Sequence, residues 1–320
     1  FTHQSMGSVK GIYYFHRQVM EEFFNLYCDA LGNCDKEMIE MGMSEASKEL
    51  EYIPILVDVD LKMKEEECKD IGNFLGDFYT EEQLERVITI YQTVLNEIVD
   101  NCTDKQLTCV VLEKEPYMVE KNGVNYVKRG FHLQFPYIFL DKISQKNHLI
   151  PRIKTKVKEE NIFNNLVEDS GSVIDDGYLT APWLLYGASK GNGLKPYTIT
   201  KVYDSDCEEI TIENAFRHYL IYDDDEKLIK IGGNVKKYLP RILSIIPHNR
   251  SPSQLKPNLL SIDRQKMKED YRNVNNNDMD VSKGLEIARE LIKLILSERA
   301  DDHNDWMAVG WALYNISQGN

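Results

Sequence analysis

The stretch IPILVDVDLKM, residues 53–63, limits the possible folds more than any other part of this chain. Its β-branched and apolar residues predict a buried strand, yet Asp58 and Asp60 stand near its end. Successive strand side chains alternate faces, so the two carboxylates point the same way with Cα atoms about 6.6 Å apart. Burying two like charges there costs several kcal/mol (~) unless cations neutralise them. The spacing suits a pair of metal ions roughly 3.5–4 Å apart, as in phosphoryl-transfer sites. The plainer reading is a hydrated pair just past the sheet edge.

Flanking segments supply elements to pack on that strand. Residues 1–50 read as helical, with Tyr14, Val19, Phe23, Phe24 and Tyr27 as an apolar stripe. Thr80 to Gln83 is a capping-box pattern, and Leu84, Val87, Ile88, Tyr91, Leu95 and Ile98 follow at helical spacing. Residues 107–114 and 117–140 read as successive strands, with Asn122-Gly123 as a hairpin turn. A helix is expected over 142–167, and two strands separated by a turn at Pro182 over 172–197. This alternation predicts an α+β protein, a mixed sheet with helices packed on it. From Pro247 to about Asp280 the composition shifts to Asn, Ser, Pro, Lys and Asp. The expected organisation is a catalytic domain over 1–250, a linker over 251–280 and the start of a helical module over 281–320. The absence of an initiating Met, and an end inside a helical pattern, read as an excerpt of a longer polypeptide.

A net charge of −14 argues against a nucleic-acid partner, but its distribution does not. Between Lys121 and Lys158 stand nine Lys/Arg and one acid, Asp141. Lys154, Lys156 and Lys158 close that run and are candidates to track a nucleic-acid backbone; the alternative is a solvated helix face. The cysteines form no C-x-x-C pair and no zinc-ligand spacing with His, so they read as ordinary thiols of a reducing compartment. No apolar run approaches the roughly 20 residues of a membrane span.

Outside the Asp-x-Asp pair, four groups could bear chemistry. His132 is expected on a strand with Gln134 on its face and Phe131, Leu133 and Phe135 on the other. A lone strand histidine is often structural, but Lys128 and Arg129 beside it suggest an anion site. Asp175 and Asp176 offer a third acid, and nothing local decides which of them points inward. Lys190 lies in YGASKGNGLK, a loop that does not satisfy the G-x-x-x-x-G-K-[ST] pattern of a phosphate-binding loop.

Taken in order, Asp58-x-Asp60, Gly130-x-His132 and the Ile174-Asp175 segment with its LYGASK ending resemble the archaeo-eukaryotic primase superfamily. The likeness is to the primase-polymerase domain that large nucleocytoplasmic DNA viruses fuse to a helicase. It spans the first helical region to about residue 250, and DDHNDWMAVGWALYNISQGN resembles the start of the helical domain that follows. The resemblance implies a two-lobed fold with an RRM-like catalytic sheet plus flanking helices and a small C-terminal helical module. It implies a DNA primase and template-directed polymerase, in which Asp58, Asp60 and Asp175 hold two Mg²⁺ or Mn²⁺ ions. His132, Lys190 and Arg129 would bind the incoming NTP or dNTP, and single-stranded DNA would be the template. The setting it implies is inside a host cell, in cytoplasm or nucleus, with no membrane partner. Two departures stand out: Gly130 replaces the usual small hydroxyl residue, and Leu184 stands where some relatives carry an arginine. Two other readings of the Asp-x-Asp pair are a nucleotide-sugar glycosyltransferase and a non-catalytic replication scaffold subunit.

Overall fold

A computed structural model describes residues 2–6, 10–33, 42–70, 78–191, 193–222, 227–229, 231 and 234–260, with a few positions between 286 and 293. The chain divides into two compact units, Phe1–Lys256 and Pro257–Asn320. Most of the expected linker and helical module lies outside the described residues. Residues 254–256, expected within the linker, belong to the first unit: Leu255 bridges Val99, and the Lys256 N–H donates to the Ile98 carbonyl.

The first unit opens with strands β1 (His3–Ser5) and β2 (Gly11–Tyr13), helix α1 (Arg17–Asn33) and β3 (Met43–Glu45). Next come β4 (Tyr52–Lys64), α2 (Glu65–Asp70), α3 (Glu81–Ile98), β5 (Cys109–Glu113), β6 (Tyr117–Lys121) and β7 (Val124–Asp141). Helix α4 (Lys142–Ser144) runs through a π turn at Gln145–Leu149 into α5 (Ile150–Glu159). The remaining elements are β8 (Ile174–Asp175), β9 (Trp183–Leu184), β10 (Thr198–Tyr203), α6 (Ile212–Phe216), β11 (Ile221–Tyr222), β12 (Leu228–Ile229) and α7 (Val235–Ile242). The architecture is α+β, as expected.

The central sheet has the order β10-β5-β7-β4-β8, with β6 added to β7 as a hairpin. A smaller sheet has the order β2-β1-β3-β9. Every pairing among the described strands of both sheets is antiparallel, where a mixed sheet was expected. Hairpin and meander connections need no parallel crossover, and alternation of helices with strands could not distinguish the two cases. The two strands expected over 172–197 are short and part company: β8 pairs with β4 in the central sheet, β9 with β3 in the small one.

Local sequence explains the main elements. The Thr80 hydroxyl accepts from the Gln83 N–H while the Gln83 side chain accepts from the Thr80 N–H, so the capping box starts α3 where expected. Leu84, Val87, Ile88, Tyr91, Leu95 and Ile98 are then buried. Asn122 at φ 54° and Gly123 at φ 75° make the tight turn between β6 and β7. One face of the sheet carries Val57, Val59, Phe131, Leu133 and Phe135, all fully buried. Tyr91 of α3 stacks on Phe135 from that side.

The N-terminal fifty residues depart from the helical expectation. Only α1 is helical there among the described residues, and it buries Met20, Phe24 and Tyr27, while Tyr14 and Val19 are exposed. Strands of three residues are too short for periodicity to reveal. They are pinned by buried polar groups: Glu45 accepts from the Ser244 hydroxyl and, at 2.8 Å, from the Ile245 N–H, with His3 Nε2 at 3.8 Å. Burial raises the Glu45 carboxyl to about 7 and lowers the His3 imidazole to about 4.

Candidate active site

Residue alternation puts one set of polar side chains on the sheet face opposite Phe131 and Leu133. Asp58 pairs with His132 on β7 and with Asp175 on β8, and directly opposed residues of antiparallel strands share a face. Asp60 lies two residues along β4, opposite Gly130, and Lys62 follows opposite Lys128. The sequence-predicted acids thus meet on one surface. Between the two candidates for the third acid, Asp175 is the one in register with Asp58. Asp176 lies just past the strand and pairs with Lys154 at 3.2 Å.

Each of the three carboxylates is engaged by a donor. His132 Nε2 stands 3.4 Å from Asp58 Oδ1, Lys128 Nζ stands 2.6 Å from Asp60 Oδ2, and Asp175 Oδ1 accepts the Gly177 N–H at 2.8 Å. Burial pushes the Asp58 carboxyl up, but the His132 hydrogen bond and the charges of His132, Lys190 and Lys114 outweigh it, leaving the carboxyl below its ordinary value. Burial likewise disfavours the Lys128 ammonium, and the bond to Asp60 more than offsets that, raising its pKa. Among the described residues no three acidic, histidine or cysteine side chains converge as a ready metal cage. By residue type the set suits hard divalent cations, since Asp58, Asp60 and Asp175 are carboxylates on one sheet face and two of them already draw positive groups.

Aromatic side chains hold His132 in place. Tyr197 stacks on it at 3.6 Å between centroids, and Trp183 of the small sheet lies 4.5 Å away, tilted by 36°. Lys114, just after β5, lies over the Tyr117 ring at 4.3 Å and over Tyr197 at 4.5 Å. Burial and the neighbouring charges of Lys190 and Lys128 lower the Lys114 ammonium to about 8, against the pull of Asp58 and Asp60. Lys114, Tyr197 and Trp183 were not read as site residues, since nothing in their local sequence shows which segments would fold beside His132.

Two of the expected binding groups are placed differently. Arg129 alternates to the opposite face from His132, where its guanidinium lies 5.3 Å from the Tyr79 ring centroid. The three lysines of α5 do not form one surface: Lys154 and Lys158, four apart, share a helix face, and Lys156 between them points nearly the opposite way. Lys154 pairs with Asp176, Lys156 with Glu97 of α3, and Lys158 with Asp169. Of these three only Lys154 lines the cleft of about 770 Å³ beside the acids, which also presents Asp60, Lys62, Lys121, Tyr126, Lys128 and Asp175. Lys190, by contrast, stays with the site: it is exposed, and its charge acts on both Asp58 and Lys114.

Gly130 is dictated by backbone proximity. A Cβ at that position would sit 1.9 Å from the Val59 carbonyl oxygen, so the close approach of β7 to β4 beside Asp60 leaves no room for a side chain.

An antiparallel sheet that presents an Asp-x-Asp pair, a cross-strand histidine and a third aspartate on one face is the layout expected of an archaeo-eukaryotic primase (AEP) domain. The chain belongs to that family: residues 2–203 match the family described as "C962R protein N-terminal AEP domain". Among curated relatives, "Putative helicase 184R" of Invertebrate iridescent virus 6 is 35% identical over 99% of this chain and 33% of its own. "Putative helicase 121R" of Invertebrate iridescent virus 3 is 33% identical over 100% of this chain and 34% of its own. A like-named protein of Acanthamoeba polyphaga mimivirus is 24% identical over 98% of this chain. The chain spans about a third of the length of these relatives. Family membership places it in the primase nucleotidyltransferase superfamily, and its relatives are proteins of large DNA viruses. No helix among the described residues is long and apolar enough to cross a membrane.

Proposed function

We propose that this chain is a primase-polymerase that joins NTPs or dNTPs on a single-stranded DNA template during viral DNA replication. The observation that carries the reading is the position of Asp58 between His132 and Asp175, with Asp60 on the same face, in a chain of the primase family. Asp58, Asp60 and Asp175 would hold two Mg²⁺ or Mn²⁺ ions. When bound, such ions lower the pKa of a 3′-hydroxyl and stabilise charge at the α-phosphate and leaving pyrophosphate.

The protein's own groups supply position and charge. His132 and the nearby lysines favour the ionised form of Asp58, the form in which it would serve as a ligand. His132, fixed between Tyr197 and Trp183, and Lys190 face the same region and would orient the triphosphate. Lys128, 2.6 Å from Asp60 Oδ2, would be free to bind a phosphate oxygen in a form of the site where Asp60 held a cation. The adjoining cleft suits a nucleic-acid strand: Lys62, Lys121 and Lys154 can meet phosphates, and Tyr126 offers a stacking surface. The helicase names of the relatives suggest that the chain works beside a helicase within a longer polypeptide, inside the host cell.

The test is primer synthesis and extension by the purified chain with Mg²⁺ or Mn²⁺, a single-stranded template and NTPs or dNTPs. Product is expected, and Asp58→Ala or Asp60→Ala should abolish it while leaving a folded protein. Activity that survives in both variants would remove the metal assignment.

A further inference from the structure

Resting on the reading above, we infer that Lys114 is a positioning residue that makes divalent cations and a triphosphate bind this site as one charge-balanced unit. Its place follows from register. Leu112 of β5 pairs with His132 and Glu113 with Phe131, so one further step sets Lys114 level with Gly130, which pairs with Asp60. Lys114 therefore shares the face of His132, and Gly130 puts no side chain between Lys114 and Asp60.

Two tyrosines fix the ammonium group there. Its distances of 4.3 Å to the Tyr117 ring and 4.5 Å to the Tyr197 ring place it against both π faces, and Tyr197 is itself stacked on His132. An ammonium held between two rings swings out into water less readily than a free surface lysine. Its charge acts on Lys190, Lys128, Asp58 and Asp60 together, so these groups form one electrostatic unit.

Charge balance gives the restraint its consequence. Asp58, Asp60 and Asp175 carry three negative charges, and Lys114, Lys128 and Lys190 carry three positive ones. Cations alone would leave the three ammoniums facing uncompensated positive charge. A triphosphate with four negative charges cancels the four positive charges of two divalent ions. Lys128 and exposed Lys190 can move away from a cation, but Lys114 is held by its ring contacts. Its charge therefore opposes metal without nucleotide and favours nucleotide with metal, a reciprocal coupling between two ligands.

The test uses the full chain and its Lys114→Met, Lys114→Gln and Lys114→Arg variants, titrated with Mn²⁺ alone and with Mn²⁺ plus a non-hydrolysable dNTP analogue. Free Mn²⁺ is read by electron paramagnetic resonance and folding by circular dichroism. In the wild-type chain the analogue should tighten Mn²⁺ binding about tenfold or more. In Lys114→Met and Lys114→Gln that coupling should largely vanish, with Mn²⁺ alone bound more tightly than by wild type. Lys114→Arg should keep it. Wild-type coupling in both folded neutral variants would overturn the inference. Failure of the underlying site reading looks different: Mn²⁺ binding would then be untouched by Asp58→Asn.

Discussion

His132 and Asp58 face one another across β7 and β4 as register partners, with Nε2 3.4 Å from Oδ1. The contact holds the Asp58 carboxyl below its ordinary pKa although burial acts the other way. In the proposed site the histidine would thus have a task beyond reaching a substrate, since it favours the charged form of Asp58.

Replacing His132 with Ala removes the hydrogen bond and charge that act foremost against burial at Asp58 and leaves Lys190 and Lys114 to oppose it. Nucleotide incorporation should fall roughly 10- to 100-fold, as for loss of a group that orients a ligand. The sign of the pH effect follows: Asp58 would take up a proton at higher pH, so the acid limb of the pH–rate profile should move upward. A profile that drops in height without moving would mean that His132 does not control Asp58.

Gly130 should not accept the small hydroxyl residue usual at its position. A Cβ there meets the Val59 carbonyl at 1.9 Å, so Gly130→Ser must push β7 away from β4. Overpacking of this kind costs about 1–3 kcal/mol. Urea denaturation should show that loss, and unchanged stability would mean that the two strands separate freely.

Glu45 gives the small sheet a pH-dependent anchor. Its folded pKa of about 7 lies above the ordinary carboxylate value, so the native state holds a proton that the unfolded chain releases. Its contribution is fully present below about pH 4.5 and is lost as pH rises through about 7. His3, lowered to about 4, acts in the opposite sense and loses its contribution as pH falls from 6.5 toward 4. Glu45→Gln should therefore gain stability relative to wild type between pH 5 and 8, read from urea midpoints across about four pH values. Parallel curves for the two proteins would contradict the assignment.

Lysines that line the cleft, Lys62 of β4 and Lys121 of the basic run, should separate from Lys156, which does not line it. Lys62→Glu and Lys121→Glu, both in the cleft beside Asp60, should weaken binding of single-stranded DNA. Each should lower the salt slope by roughly 0.7 per lost phosphate contact. Lys156→Glu, on the Glu97 side of α5, should leave both unchanged. Fluorescence anisotropy at several salt concentrations checks this, and equal effects of all three would mean a diffuse surface charge and not a cleft that holds the strand.

The parts legible in the sequence were those set by local pattern. Residues 53–63 are a strand because their side chains admit little else, and Thr80 and Asn122-Gly123 fix where α3 starts and where the β6–β7 hairpin turns. That Asp58, Asp60 and His132 share one sheet face was legible in part, because strand alternation decides which way each points on its own strand. What stayed hidden depends on contacts between distant segments. The choice of Asp175 over Asp176 required the register of a two-residue strand, and Lys114 and Tyr197 join the site only because β5 and the approach to β10 flank His132. Arg129 misled because a basic residue beside the histidine reads as an anion contact until alternation turns it to the Tyr79 face.

The most direct measurement compares Asp175→Asn with Asp176→Asn in metal-dependent primer synthesis on single-stranded DNA. Asp175 pairs with Asp58 across the sheet, whereas Asp176 binds Lys154 beyond it. Loss of product in the first variant, with activity retained in the second, is the predicted result. Full activity in Asp175→Asn would contradict a three-carboxylate site on this face.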